Sequence, residues 1–153
     1  QNGGTIYTCG NGGSAATASH LAGDMLKGLS AKNKKRFKAI CLSDNQTNLL
    51  AISNDIDYKK VFSEPLENFA SSNDLLIAFS GSGNSANILE AIDYANSINC
   101  PNIGVSGYSG GKLKESAQHS IHANVNDMEA AEDCHLIICH TIKKELMARL
   151  NIH

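Results

Sequence analysis

Five short apolar, β-favouring runs recur along the chain: Thr5–Cys9, Lys38–Leu42, Leu75–Ser80, Asn102–Ser106 and Ser120–Val125. Between them the apolar positions change to a spacing of three and four. That spacing predicts helices over Ser14–Leu26, Asp57–Ala70, Asn84–Ile98 and Met128–Leu150, with a shorter one over Asn45–Ser53. Strands this continuously apolar are buried on both faces. Their alternation with helices predicts an α/β fold of three layers, αβα, around a parallel five-stranded sheet. The turn chemistry agrees, with "GNGGS", "GSGNS" and "GYSGG" following the first, third and fourth runs.

The first run leads directly into chemistry. "IYTCGNGGSAATASHLAGDM" passes from strand pattern through glycines into a helix that carries His20 and Asp24. "YTCGNGGSAATA" and "AFSGSGNSANIL" each place a strand before G-x-G-x-x-A and a helix. That pattern loosely matches the dinucleotide fingerprint at Gly10, Gly12 and Ala15, and again at Gly81, Gly83 and Ala86. The fingerprint also wants an acidic residue about 20 positions on, and Asp44 comes too late, behind a long basic loop. No nucleotide cofactor is therefore expected. The loops are instead rich in hydroxyls, with Ser14 in one and Ser80, Ser82 and Ser85 in the other. Backbone N–H groups freed by glycine, helix N-termini and serine hydroxyls together suit a phosphate without a lysine. The alternative is that Ser14 and Ser85 are only helix caps.

His20 and Asp24 stand four apart and share a helix face. In the last helix Glu132 and His140 are eight apart, about 80° on a helical wheel, with Glu129 one turn before Glu132. Each pair alone reads as an ordinary structural contact. His140 sits among Leu136, Ile137, Ile138, Cys139 and Ile142, where an imidazole needs a partner. Two histidines and two carboxylates on two helices could form a divalent-metal site or an acid–base pair.

Composition removes other classes. The 153 residues suit one domain, and 13 basic against 15 acidic side chains leave no basic surface for nucleic acid. "GLSAKNKKRFK" reads as a solvated loop. Five cysteines without a CxxC pair read as reduced thiols in a cytoplasmic protein. No apolar run approaches the ~20 residues of a membrane span, and no signal peptide is visible.

In order along the chain, "CGNGGSAATASHLAGDM", "AISND", "FSGSGNSANILEAI", "GYSGGKL" and "EAAEDCHLIICHTI" resemble the successive motifs of the sugar isomerase (SIS) domain family. They are most similar to its phosphoheptose isomerases, which interconvert sedoheptulose 7-phosphate and D-glycero-D-manno-heptose 7-phosphate on the way to lipopolysaccharide or capsule-type glycans. The resemblance implies a flavodoxin-like sheet, a homotetramer with active sites at subunit interfaces, and a cytoplasmic enzyme acting on a phosphorylated sugar. It also implies a helix before the first strand. Residues 1–153 read as a single SIS domain without that helix.

Carried over position by position, the resemblance places Asn11, Gly12, Gly13 and Ser14 on the first substrate loop. Ser80, Ser82 and Ser85 fall on phosphate-binding serines, with Gly81 where threonine is common, and Asp55 and Glu129 fall on substrate-contacting acids. Asp24 takes the place of a glutamate base, Glu132 that of a glutamine, and His140 that of the catalytic histidine. His20, Asp24, Glu132 and His140 form the implied zinc set. Aspartate is shorter than glutamate by one methylene, and a misplacement of about 1 Å can cost about 100-fold in rate. A non-catalytic SIS protein, binding a sugar phosphate or a partner such as a replication initiator, is the alternative. The resemblance implies that the initiator-binding branch lacks the last-helix histidine.

Overall fold

The computed structural model describes residues 3–31, 33 and 36–152. Five strands, β1 (Ile6–Cys9), β2 (Ala39–Cys41), β3 (Leu75–Ser80), β4 (Asn102–Ser106) and β5 (His119–His122), form one sheet in the order β2-β1-β3-β4-β5. Every neighbouring pair is parallel. This is the flavodoxin-like strand order, with its reversal at β1 and β3. The helices are α1 (Gly13–Gly23), α2 (Gln46–Asp55), α3 (Ser63–Phe69), α4 (Ala86–Ser97), α5 (Gly111–Ser116) and α6 (Met128–Arg149).

Alternation along the strands builds two cores. Leu76 and Ala78 of β3, with Tyr7 and Cys9 of β1, face Ile52, Phe62, Leu66, Ile88 and Leu113. Ile77 and Phe79 face the other way, toward Leu21, Met25, Leu29 and Cys139. One layer therefore holds α1 and α6, and the other holds α2 to α5. Among the described residues no helix is long and apolar enough to cross a membrane.

Three local departures break the periodicity. The stretch expected as one helix over Asp57–Ala70 is a 3₁₀ turn, Tyr58–Lys60, followed by α3. Asp57 caps that turn by accepting from the Lys59 N–H at 2.8 Å. Pro65 then sits in the first turn of α3, where no helical N–H bond is lost. The six-residue α5, opened by Gly110 and Gly111, is too short to impose a period. Finally, α1 does not continue as a regular helix to Leu26. It passes at Asp24 into a π-helical segment, Asp24–Leu29. Lys32, Lys34 and Lys35 of the basic loop lie outside the described residues.

Candidate active site

The loops after β1 and β3 diverge at the point where strand order reverses, and a cleft of about 270 Å³ opens between them. Its walls carry Asn11, Ser14, Ser80, Ser82, Ser85 and Glu132. Gly12, Gly13 and Gly81 line it too, together with Phe79 and Met128. A larger cavity of about 660 Å³ lies at the other end of the sheet, beside Gly4, Arg36, Leu75 and Arg149. It sits at the starts of the strands, away from the crossover, and holds none of the loop serines.

The serines in the cleft do not cap their helices. The residue before α1 is Gly12, so Ser14 already lies inside the helix. Ser85 does precede α4, but its side chain makes no capping bond. Its hydroxyl instead pairs with that of Ser80 at 3.2 Å. Ser80 Oγ also accepts from the Gly83 N–H at 3.1 Å, and Ser82 Oγ from the Asn84 N–H at 3.2 Å. The turn requires glycine at position 83. Its φ is +68°, and a Cβ there would overlap the Gly110 carbonyl. Hydroxyls gathered at the N-terminus of α4 in this way suit an oxyanion ligand.

The first loop is held by amides. Asn11 and Asn87 exchange two hydrogen bonds of 2.9 Å, and the Tyr58 hydroxyl donates to Asn11 Oδ1 at 2.9 Å. The Glu132 carboxylate lies directly over Gly13, where any Cβ would collide with it. The N-terminus of α1 thus already faces an anion, which leaves the serine loop at α4 as the freer seat for a phosphate.

Farther along the same two helices, which pack together, His20, Asp24 and His140 converge. One ligand atom from each lies within 4.8 Å of the others. The His20 and His140 Nε2 atoms are 3.0 Å apart, and His20 Nε2 is 3.5 Å from Asp24 Oδ2. Lys143 Nζ donates to the other oxygen, Asp24 Oδ1, at 2.5 Å. Asp24 Oδ2 is buried and has no hydrogen-bond partner among the described residues. Only one proton fits between two Nε2 atoms, so at least one lone pair is turned inward. Two imidazole nitrogens and an unpartnered carboxylate oxygen are a donor set that fits zinc. The neighbouring Cys139 is not part of it. Burial, with the charge of Asp24, pushes its thiol up to about 12, and it packs into the core as a neutral group.

The sequence model of the SIS domain matches residues 1–107. The chain belongs to the SIS-domain family. Its similarity is to the phosphoheptose isomerase branch. The phosphoheptose isomerase of Aliarcobacter butzleri is 39% identical over 142 residues, covering 93% of this chain and 75% of that protein. That of Campylobacter jejuni is 38% identical over the same length, covering 93% and 76%. The solved structure of phosphoheptose isomerase GmhA from Neisseria gonorrhoeae superposes with a TM-score of 0.87 at 30% identity, covering 96% of this chain and 78% of that one.

Against this SIS-domain frame the expected positions divide. Asn11, Gly12, Gly13, Ser14, Ser80, Gly81, Ser82, Ser85 and Glu132 share the cleft. His20, Asp24 and His140 share the cluster. Glu132, expected as a fourth ligand, stands apart from that cluster. Eight residues of α6 separate it from His140, a rise of about 12 Å, and its carboxylate is turned onto Gly13. Asp55 and Glu129 are exposed and lie outside the cleft walls. Asp55, at the end of α2, accepts from its neighbour Asn54 at 2.7 Å. Met128, Asn87, Tyr58 and Lys143 were not foreseen. Lys143 was within reach of the pattern, since it stands three residues after His140 on the same helix face. Nothing local marks Tyr58 or Asn87, which arrive through the tertiary fold.

Proposed function

We propose that this chain is a phosphoheptose isomerase that interconverts sedoheptulose 7-phosphate and D-glycero-D-manno-heptose 7-phosphate through a cis-enediol, for heptose-containing glycans. One observation carries the reading: α1 and α6, whose N-terminal ends line the serine cleft through Ser14 and Glu132, carry the His–Asp–His cluster farther along. From Ser14 in the cleft wall to His20 the rise along α1 is about 9 Å, so cleft and cluster stand apart by a length that suits an open-chain sugar phosphate.

The phosphate rests on the hydroxyls of Ser80, Ser82 and Ser85 and on the N-terminus of α4. Asn11, fixed by Asn87 and Tyr58, keeps side-chain N–H capacity for sugar hydroxyls. Starting from the ketose, Asp24 Oδ2 takes a proton from C1 while His140 gives one to the C2 oxygen. The C1–C2 enediol results. Asp24 then returns its proton to C2 and His140 takes the proton of the C1 hydroxyl, leaving the aldehyde and restoring both groups. Were zinc held by His20, Asp24 and His140, it would supply polarisation of a sugar oxygen in place of the proton given by His140. A binding-only role leaves the paired histidines without a purpose.

Five free cysteines, four of them buried, support a reducing, cytoplasmic setting. A homotetramer with interface active sites belongs to the same reading, supported by large apolar side chains left exposed on the single chain. The test is to incubate the protein with sedoheptulose 7-phosphate and follow aldose signals by NMR, with elemental analysis of the same preparation for zinc. Appearance of the aldose supports the proposal; an unchanged ketose at high enzyme concentration overturns it.

A further inference from the structure

We infer that Lys143 is the positioning residue of this site, a clamp that holds the Asp24 carboxylate plane with one oxygen turned toward the His20–His140 pair. This inference rests on the reading of Asp24 as the base.

Three observations meet at this lysine. Its ammonium donates to Asp24 Oδ1 at 2.5 Å, and its side chain is 28% exposed against 13% for Asp24. That hydrogen bond leaves Oδ2 as the oxygen turned toward His20, buried and with no hydrogen-bond partner among the described residues. The backbone also makes room for the lysine. Asp24 opens the π-helical segment, and Gly28 within it presents bare backbone to the lysine arm. A Cβ at Gly28 would stand 2.8 Å from Lys143 Cε and 3.2 Å from Nζ. A π-helical turn is a local insertion that re-aims side chains, and it is found often at functional sites.

The chemistry needs this arrangement because Asp24 is short. An aspartate reaches less far than a glutamate by one methylene, so it has no side-chain length with which to make up for a misdirected carboxylate plane, and the reacting oxygen must be held in place. An untethered carboxylate beside two imidazoles would rotate about its Cβ–Cγ bond and hold neither oxygen in line with them. Lys143 removes that freedom. As a cation within reach of Oδ1 it supplies one strong, charge-assisted bond that fixes the carboxylate.

The experiment compares Lys143→Met, Lys143→Arg and Gly28→Ala with the parent protein in isomerase kinetics, and determines the crystal structure of Lys143→Met. Loss of the clamp should lower kcat by about 10- to 100-fold while KM for the sugar phosphate stays within about threefold, because the phosphate seat is untouched. Lys143→Arg keeps a donor and should recover most of the lost turnover. Gly28→Ala crowds the ammonium without removing it. It should lower kcat on its own and cause no further loss in the Lys143→Met background. In the Lys143→Met structure the Asp24 carboxylate should have rotated away from His20.

An unchanged kcat, a loss confined to KM, no recovery with arginine, or additive effects of Gly28→Ala and Lys143→Met would each overturn the proposal. If the parent protein isomerises no sugar phosphate, the functional reading falls instead. The positioning role is then decided by the crystal structure alone: a rotated carboxylate upholds the clamp, and an unmoved one overturns it.

Discussion

At the scale of single residues, the site separates holding from reacting. Asp24 and His140 are the groups with protons to move, so His140→Asn and Asp24→Asn should leave sugar-phosphate binding intact. Turnover should fall by roughly 100- to 10,000-fold, the usual contribution of one general acid or base. Proton exchange at C1, followed by NMR in deuterated water, checks the assignment, and wild-type exchange in both variants would remove it. Ser82 and Ser85 belong to the other task. Replacing either by alanine removes a bond to a charged ligand, typically about 1.5–3 kcal/mol, so inhibition by inorganic phosphate should weaken about tenfold or more. Isothermal titration with phosphate would show this, and equal affinities would move the phosphate seat elsewhere.

His135 carries a different consequence. It is fully buried on the inner face of α6, beside Phe79, and neither ring nitrogen has a hydrogen-bond partner of good geometry among the described residues. Burial holds it below the ordinary imidazole range, against smaller opposing effects from the Ser106 backbone and the Glu132 charge. The unfolded chain therefore binds this proton more readily than the native one, and stability rises with pH in that interval. The contribution of neutral His135 is complete above the unfolded imidazole value of about 6.5 and drains away as pH falls toward the depressed folded value. Urea midpoints measured between pH 8 and pH 5 should fall with acidity, and His135→Leu should flatten that slope. A slope as steep in the variant would assign the acid sensitivity to other groups.

Elements show why some of this was legible in the chain and some was not. Strands that are apolar on both faces leave a strong mark, and β1, β3 and β4 lie where the pattern put them. Long amphipathic helices such as α4 and α6 leave a period that survives small errors at the ends. Short pieces do not. The 3₁₀ turn at Tyr58–Lys60, α5 and the π-helical segment each hold six residues or fewer, less than two turns, and the first two rest on a cap and a pair of glycines. The site divides in the same way. Serines and glycines clustered in a loop could be read directly, as could two histidines on helices. The Asn11–Asn87–Tyr58 contacts join residues 47 and 76 positions apart and have no local signature.

The phosphate loop gives a test at this scale. Gly83 and Gly12 both have positive φ, at 68° and 55°. A Cβ at Gly83 would strike the Gly110 carbonyl, whereas nothing lies within 4 Å of one at Gly12. Gly12→Ala should then cost only the backbone strain, on the order of 1–3 kcal/mol. Gly83→Ala must also displace the α5 turn and should cost distinctly more, with phosphate affinity falling alongside stability. Thermal denaturation of the two variants decides this, and equal losses would mean the loop relaxes freely.

For the whole molecule, the surface around the cluster looks unfinished. The His20 side chain is 48% exposed, although the proposed reaction needs a site that excludes water. Ile137, one turn before His140 on α6, is 63% exposed; in the opposite helix layer Phe69, Leu50 and Ile56 are exposed as well. Burying such side chains at an interface gains roughly 25 cal/mol per Å² of apolar surface, and association over Ile137 would also cover the histidines. Assembly and catalysis should therefore be coupled. Light scattering should give a mass near four times that of the 16.3 kDa chain. Ile137→Lys places a charge on the outer face of a helix without touching the core, so the protomer should stay folded by circular dichroism. Its assembly should weaken, and turnover per chain should fall and become dependent on protein concentration. A monomer with undiminished, concentration-independent turnover would show that each chain completes its own site.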